Sequence, residues 1–403
     1  MNRLKFDNPI DCSGCGACAA ICPRHCIEMT KDTLGFNIPN LVNSKECIDC
    51  GLCYKTCPQI KKKDDEIQRS LCIYGQNKDK NQLLESSSGG FFSLLATHII
   101  DLGGCVWGVE LLKNGMPSFV CIHQKEDLKR IRGSKYSEVA QPIDFIEIKR
   151  QVKNGILVLV SGTPCQILAL RKFLGKNDYP NLILVDLLCY GIQSPKMWRQ
   201  YLKDINPKNK GISYISMRNK RYSWFNYSMK IIFDDGTKYQ KIRYKDPWLL
   251  TYSTSIFNRL SCSACQSKKN PHVSDFTIGD FWDIDYYNNP IKLKKSQGVS
   301  LAMMHTQKAK NLFERIEGGL IYDTIPYEYM DKRNITLAKS ANINNLRDVF
   351  IKEANELGFS HAVKKYLDSG FSLWYKKRKN YLKFHTIWKM KLFVKHFIGY
   401  KKK

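Results

Sequence analysis

The sequence holds no run of about 18 or more apolar residues, so no segment is long enough to cross a bilayer as a helix. Its opening, MNRLKFDNPIDC, lacks the apolar stretch that an export signal carries. Acids are scarce: 37 Asp and Glu stand against 64 Lys and Arg, a net charge of +27. No His, Asp or Tyr stands in a pattern that marks it as a proton donor. Cysteine, by contrast, is abundant. Sixteen thiols without an export signal argue against a disulfide framework and for metal or redox chemistry in a reducing cytoplasm. With 403 residues, 43 % of them hydrophobic, the chain can build two or three domains with cores of their own.

Half of those cysteines form an internal repeat. Cys12, Cys15, Cys18 and Cys22 precede Pro23; 35 residues on, Cys47, Cys50, Cys53 and Cys57 precede Pro58. Both read C-x2-C-x2-C-x3-C-P, the pattern of two-cluster bacterial ferredoxins. Three cysteines two residues apart wrap a tight loop around one cubane, and the fourth points to the other cluster. The expected sets are therefore Cys12, Cys15, Cys18 and Cys57 for one 4Fe-4S cluster, and Cys47, Cys50, Cys53 and Cys22 for the second. Eight thiols could also hold two zinc ions, but the doubled spacing with its prolines favours clusters. Between the repeats, a hairpin should turn at Asp32 to Gly35. The tract KKKDDE at 61–66 marks a boundary, giving a ferredoxin-type domain over 1–66.

From about residue 70 the pattern becomes mixed α/β. ESSSGG leads into an apolar helix expected over 91–102, with Ser88 as its N-cap and Gly89 and Gly90 baring the first amides. That suits a phosphate, and it also suits capping alone. RGSKY at 132–136 is a cationic loop whose Arg132 and Lys135 could face phosphates, a flavin edge or only solvent. A helix over 144–153 feeds a strand over 156–160, and then SGTPCQILAL. There Thr163 can cap a helix whose first turn carries Cys165. That thiol is open to three readings: inert and buried, nucleophilic, or a ligand. A second apolar run, NLILVDLLCYG, places Cys189 beyond a neighbouring strand. MKIIFDDGTKYQKI reads as a hairpin about Asp-Asp-Gly. RLSCSAC adds Cys262 and Cys265, a C-x2-C pair that is ambiguous alone. With Cys165 and Cys189 it makes a second kind of four; Cys26, Cys72, Cys105 and Cys121 are left without ligand spacing.

SSSGG, RGSKY, SGTPCQILAL, LLCYGIQSP, RLSCSAC and IGDFW, in that order, resemble the coenzyme F-420 hydrogenase/dehydrogenase beta-subunit family over roughly residues 10 to 320. The resemblance implies an iron–sulfur flavoprotein behind a two-cluster ferredoxin domain, with FAD near a further cluster. By motif, Ser87, Ser88, Gly89 and Gly90 would meet the flavin phosphates. Arg132, Lys135 and Thr163 would also line the cofactor site, and Cys165, Cys189, Cys262 and Cys265 would hold a third 4Fe-4S cluster. Some members of the family accompany surface-polysaccharide genes. The chain departs from the pattern at IGDFWD, where glycine commonly follows the tryptophan, and at LCYG, where histidine often follows the cysteine.

The expected fold is thus α+β to α/β and multidomain. A small ferredoxin-like domain precedes a mixed α/β flavoprotein domain over 67–335 and a helical basic tail over 336–403. Residues 361–403 carry a net +12, and on a helix Ile387, Met390, Phe393, Val394, Phe397 and Ile398 form one apolar arc. Such a helix suits the anionic inner face of a membrane or packing on its own domain; redox chemistry gives no reason for nucleic acid. The expected activity is an oxidoreductase joining clusters and flavin to a small-molecule substrate and to a redox partner such as ferredoxin or a hydrogenase/dehydrogenase subunit. The alternatives are a subunit that only relays electrons to a catalytic partner, and a zinc-stapled basic binding protein.

Overall fold

The computed structural model describes residues 11–60, 70–175, 179–268, 273–285, 287, 290–333, 337 and 339–367. The tract at 61–66 and the amphipathic arc at 387–398 lie outside the described residues. Near the N-terminus, β1 (Ile27–Lys31) and β2 (Asn37–Leu41) pair antiparallel around a turn in which Gly35 N–H donates to the Asp32 carbonyl at 2.9 Å. Asp32 Oδ1 accepts from the amides of Leu34 and Phe36, which is why this acid sits at the bend.

An eight-stranded mixed sheet organises the centre. Its strands are β3 (Leu71–Asn77), β4 (Cys105–Leu111), β5 (Pro117–Ile122), β6 (Val158–Gly162), β7 (Leu182–Leu187), β11 (Phe276–Asp280), β12 (Ser300–Met304) and β13 (Leu320–Thr324). The spatial order is β13-β3-β12-β11-β7-β6-β4-β5. β4, β6, β7 and β11 run parallel, and β12 runs against β11 with Asp280 opposite Ser300. β3 in turn runs against β12, with Ser300 opposite Gly75. One edge of the sheet therefore collects the ends of β6, β7 and β11, the start of β12 and the exit of β3. Ligands gather at such carboxyl edges.

Both faces are covered over the middle of the sheet, where β12 is buried at every position, while the edge strand β13 is buried only at Leu320. The helices Phe91–Asp101 and Gln307–Ile316 close one face, and Phe145–Lys153 and Pro164–Leu174 the other. Asp144 caps Phe145–Lys153 by accepting from Glu147 N–H. The cap expected at Ser88 is absent. Gly90, at φ 86°, is the N-cap of Phe91–Asp101, and Ser88 Oγ donates instead to the carbonyls of Val299 and Gly279 at 2.9 and 3.3 Å. The physical reason is proximity: the loop is pressed on β12, so carbonyl oxygens at the strand ends lie nearer than the helix amides.

A second sheet, β8 (Ile212–Asn219), β9 (Ser228–Phe233) and β10 (Lys238–Ile242), is antiparallel in the order β10-β9-β8. It packs on an aromatic core of Trp198, Tyr201, Trp248 and Phe257. The helices Arg347–Leu357 and Phe359–Leu367 complete that core through fully buried Phe350 and Phe359. No helix among the described residues is long and apolar enough to cross a membrane.

Candidate functional site

The N-terminal repeat folds the same way twice. Gly16 and Gly51, at φ 81° and 70°, are left-handed N-caps of the five-residue helices Ala17–Ile21 and Leu52–Thr56, and Cys22 and Cys57 are the residues that end them. A residue with a Cβ is strained in that conformation. The structure brings Cys57 to Cys12, Cys15 and Cys18. Burial pushes the Cys15 thiol up to about 12, and the charges of Cys12 and Cys57 push it further. Burial likewise raises Cys18, with Cys15, Cys12 and Cys57 adding to it. Cys22 joins Cys47, Cys50 and Cys53 in lining one cavity, together with Cys26, Ile27, Ile48 and Leu52. Gly14 N–H donates to Cys12 Sγ and Cys26 N–H to Cys22 Sγ, both at 3.3 Å. Buried thiols crowded like this favour a cationic group that accepts them as thiolates.

The two sets differ in exposure. Cys15 is buried against the central domain, where it and Ala17 join the core beneath the helix Pro164–Leu174, and Cys18 is buried with Cys26 and Ile27. Cys50 is exposed, and its neighbour Ile48 is 62 % exposed. All sixteen cysteines are unbridged. Among the described residues no three His, Cys, Asp or Glu side chains close round a point as a single ion would require.

At the sheet edge four more thiols meet. β6 ends at Gly162, and the next helix starts with Thr163 as cap, whose N–H donates to Gln166 Oε1 at 2.9 Å. Thr163 Oγ1 lies 3.2 Å from Cys165 Sγ, so Thr163 belongs to this cluster of thiols rather than to the Ser87–Gly90 loop. Cys189 follows β7 and accepts from Gly191 N–H at 3.4 Å. Cys262 and Cys265 come from the short turn at Leu260–Ala264. Burial drives Cys165 well above the ordinary thiol range, and Cys265, Cys189 and Cys262 each push it up further. Burial carries Cys262 up to about 12, again with Cys189 and Cys265 adding to it. Cys72, Cys105 and Cys121 stay outside all three sets, Cys105 and Cys121 contacting Gln151, whereas Cys26 lines the cavity of the second set.

Beside these thiols two predicted loops touch. Ser134 N–H donates to Ser87 Oγ at 2.8 Å, joining SSSGG to RGSKY. Arg132 is committed within the fold, to Glu85 and to Ser93 Oγ. Lys135 Nζ donates to the carbonyls of Arg130, Arg132 and Gly133, and burial pushes it down to about 7. Gly89 lies too close to β3 and β12 for any side chain: a Cβ there would sit 2.3 Å from Gly75 O and 2.4 Å from Ser300 N. Its glycine serves that packing.

Two residues that motif reading missed complete this edge. Arg218, near the end of β8, pairs with Asp280 of IGDFW and lies over the rings of Tyr227 and Trp282 at 4.8 and 5.0 Å. Its Nε and Nη2 are buried and have no hydrogen-bond partner. Asp280 also accepts from Trp224 Nε1 at 3.0 Å, and Trp224 stacks on Trp282 at 4.4 Å. Lys220 Nζ donates to the carbonyls of Leu83, Ser88 and Gln297, and burial, then Arg218, push it to about 7. The sequence signal was a pair of cations two residues apart at the end of a strand. Tyr136 of RGSKY stacks on Tyr252 at 3.8 Å, and Tyr252 meets Tyr190, next to Cys189, at 6.5 Å.

The doubled cysteine loops between Cys12 and Cys57 are those of an iron–sulfur redox protein. Comparison with known proteins agrees. Residues 11–60 match the 4Fe-4S dicluster domain, and residues 156–328 match the C-terminal part of the coenzyme F420 hydrogenase/dehydrogenase beta-subunit family. The two matched regions follow one another in the chain, the dicluster stretch in front of the other. A curated relative, one of the subunits of the F(420)H(2) dehydrogenase of Methanosarcina mazei, is 26 % identical over 191 residues, 44 % of this chain. The match spans about half of that relative, 53 % of its length. A solved structure, the F420-reducing [NiFe] hydrogenase complex from Methanosarcina barkeri, aligns over 75 % of this chain and 95 % of the matched chain, with 16 % identity and a TM-score of 0.43.

Proposed function

We propose that the chain is an iron–sulfur flavoprotein oxidoreductase that takes electrons in at the exposed N-terminal thiols and delivers them to a flavin at the central sheet edge. In this reading Cys12, Cys15, Cys18 and Cys57 hold one 4Fe-4S cluster, Cys47, Cys50, Cys53 and Cys22 a second, and Cys165, Cys189, Cys262 and Cys265 a third. Clusters pass single electrons, and a flavin, FAD in this proposal, gathers two for hydride exchange with an organic substrate.

The observation that carries the reading is the meeting of Cys165, Cys189, Cys262 and Cys265. They come from three separate segments, and all are partly shielded from solvent. Four mutually repelling thiols in one buried place have little structural use without a group to bind. The flavin contacts fit less evenly than the motifs suggested. Ser87, Ser88, Arg132 and Lys135 all hold partners within the fold, whereas Nε and Nη2 of Arg218 are buried without one. In this proposal Ser87, Lys135 and Arg218, with Trp282 beside Arg218, contact the flavin. The rings of Tyr136, Tyr252 and Tyr190 run in contact from RGSKY to the residue after Cys189.

Exposure differs along the proposed path: Cys50 is exposed, Cys15 and Cys18 are buried, and Cys165 is half-buried. A redox protein or a hydrogenase/dehydrogenase subunit would meet the outer set. The relative's name as part of a dehydrogenase assembly supports a second reading, in which this chain passes electrons to a catalytic partner and holds no flavin.

Anaerobic purification separates the readings. The first expects about twelve irons and one flavin per chain, three cubanes in all, and Cys165→Ala lowers iron to about eight while the N-terminal clusters keep their signals. Eight irons and no flavin in the unaltered chain would defeat it.

A further inference from the structure

The thiol sets on either side of the domain junction are tied together by two cations. Arg259 is buried, its side chain 4 % exposed. Its Nε donates to the Cys12 carbonyl at 2.6 Å, Nη2 to the Asn37 carbonyl at 2.6 Å, and Nη1 to Glu138 at 2.8 Å. Its own backbone N–H donates to Ile192 O, and its carbonyl accepts from Cys262 N–H at 3.0 Å. The charges of Cys12, in the first set, and of Cys262, in the third, both act on its guanidinium. One side chain thus stands between a ligand loop of each set.

Lys172 repeats the arrangement from another element. It lies on the helix Pro164–Leu174, about 10 Å along the axis from Cys165 at 1.5 Å per residue. Its Nζ donates to the carbonyls of Cys57 and Ile60, and its charge acts on the Cys57 thiol. Cys12 and Cys57 belong to the same set. Each of two central elements that supply a third-set thiol therefore also supplies a cation that grips the backbone of a first-set thiol. The approach is close enough to restrict the sequence: a Cβ on Gly14 would meet Arg259 Nη1 at 2.8 Å and Asn37 O at 2.9 Å.

We propose that Arg259 and Lys172 are positioning residues that clasp the first N-terminal cluster site to the central one and bias shared electrons toward the first. This rests on the three-cluster reading above. Reducing a cluster adds one negative charge, which a nearby buried cation favours and which solvent there screens poorly. Both cationic heads sit on the first set, Lys172 Nζ on the Cys57 carbonyl and Arg259 Nε on the Cys12 carbonyl, whereas Cys262 meets the Arg259 backbone. Glu138 offsets part of the Arg259 charge.

The test is a redox titration of the purified, iron-loaded full chain followed by electron paramagnetic resonance. Arg259→Gln should shift the sharing of an electron between the two clusters about tenfold away from the first, which is about 59 mV for a one-electron couple. Arg259→Lys keeps the charge and should restore most of that shift. Lys172→Gln should shift in the same direction with iron content unchanged. An Arg259→Gln protein with full iron and unaltered potentials overturns the proposal, as does an Arg259→Lys protein shifted as far as Arg259→Gln. Should Arg259→Gln fail to fold, Lys172→Gln decides alone, and an unshifted potential there overturns it. Failure of the underlying reading shows earlier and separately, as only eight irons in the unaltered chain.

Discussion

Removing the Arg218 guanidinium is the perturbation whose size the structure defines most closely. Arg218 is 5 % exposed and its partner Asp280 15 %. In Arg218→Met, Asp280 keeps Trp224 Nε1 as a donor but loses its counter-ion in a site nearly closed to water. Breaking a buried pair from one side costs about 3–5 kcal/mol. Two ring contacts, with Tyr227 and Trp282, are lost as well, at about 0.5–2 kcal/mol each, and methionine recovers part of that by packing on the same rings. The slight exposure of Asp280 pulls the figure to the lower end, about 3 kcal/mol, a large share of the ~5–15 kcal/mol that holds a domain folded. Arg218→Met combined with Asp280→Asn should recover about 2 kcal/mol of this, because no charge is stranded and the new amide still accepts from Trp224. The assay is the anaerobic urea midpoint of the parent and both variants at one incubation time, since cluster loss makes unfolding irreversible. A single variant within about 1 kcal/mol of the parent, or a double variant that is no more stable than Arg218→Met, refutes the reasoning.

The crossed grouping of thiols is open to iron counting. Combining Cys57→Ser with Cys18→Ser should remove about four irons, and combining it with Cys53→Ser about eight, one cubane or two; the opposite pattern would mean that Cys57 serves the second cluster. The pH dependence follows from Lys135 and Lys220, both held near 7 by burial. A lysine whose folded value lies below its unfolded one costs stability below that folded value and is relieved as pH rises. Stability of the iron-loaded protein should therefore climb between about pH 7 and 10.5, and Lys220→Met should flatten part of the climb in thermal melts; an equal climb in that variant speaks against it.

What the sequence discloses here depends on how local the cause is. The repeated cysteine spacing is a property of ten-residue loops, and the hairpins at 27–41 and 228–242 are marked by their own turn residues. Cys165 and Cys189 could be set at neighbouring strand ends because each directly follows its strand. The cap of Phe91–Asp101 was misplaced because strand β12, more than 200 residues later, supplies the carbonyl that takes Ser88. Arg259 and Glu138 escaped notice for the same reason: their partners lie 247 and 121 residues away. After residue 336 the rise in charge hid an apolar pattern, since Phe350, Ala354, Phe359 and Val363 all enter the aromatic core.

The sheet order has a consequence for how the molecule is made. β3 lies between β12 and β13, strands synthesised more than 220 residues after it, while both N-terminal thiol sets are complete by Cys57. A chain emerging from the ribosome can therefore fold its hairpin and gather eight thiols while the central sheet still lacks its middle. Long-range pairing of this kind is slow to form. The four central thiols cannot meet until Cys265 has been made, and the edge beside them stays open until Met304 has joined β3. If the central thiols hold a cluster as proposed, any loading machinery would find the outer sites ready first and the inner one last.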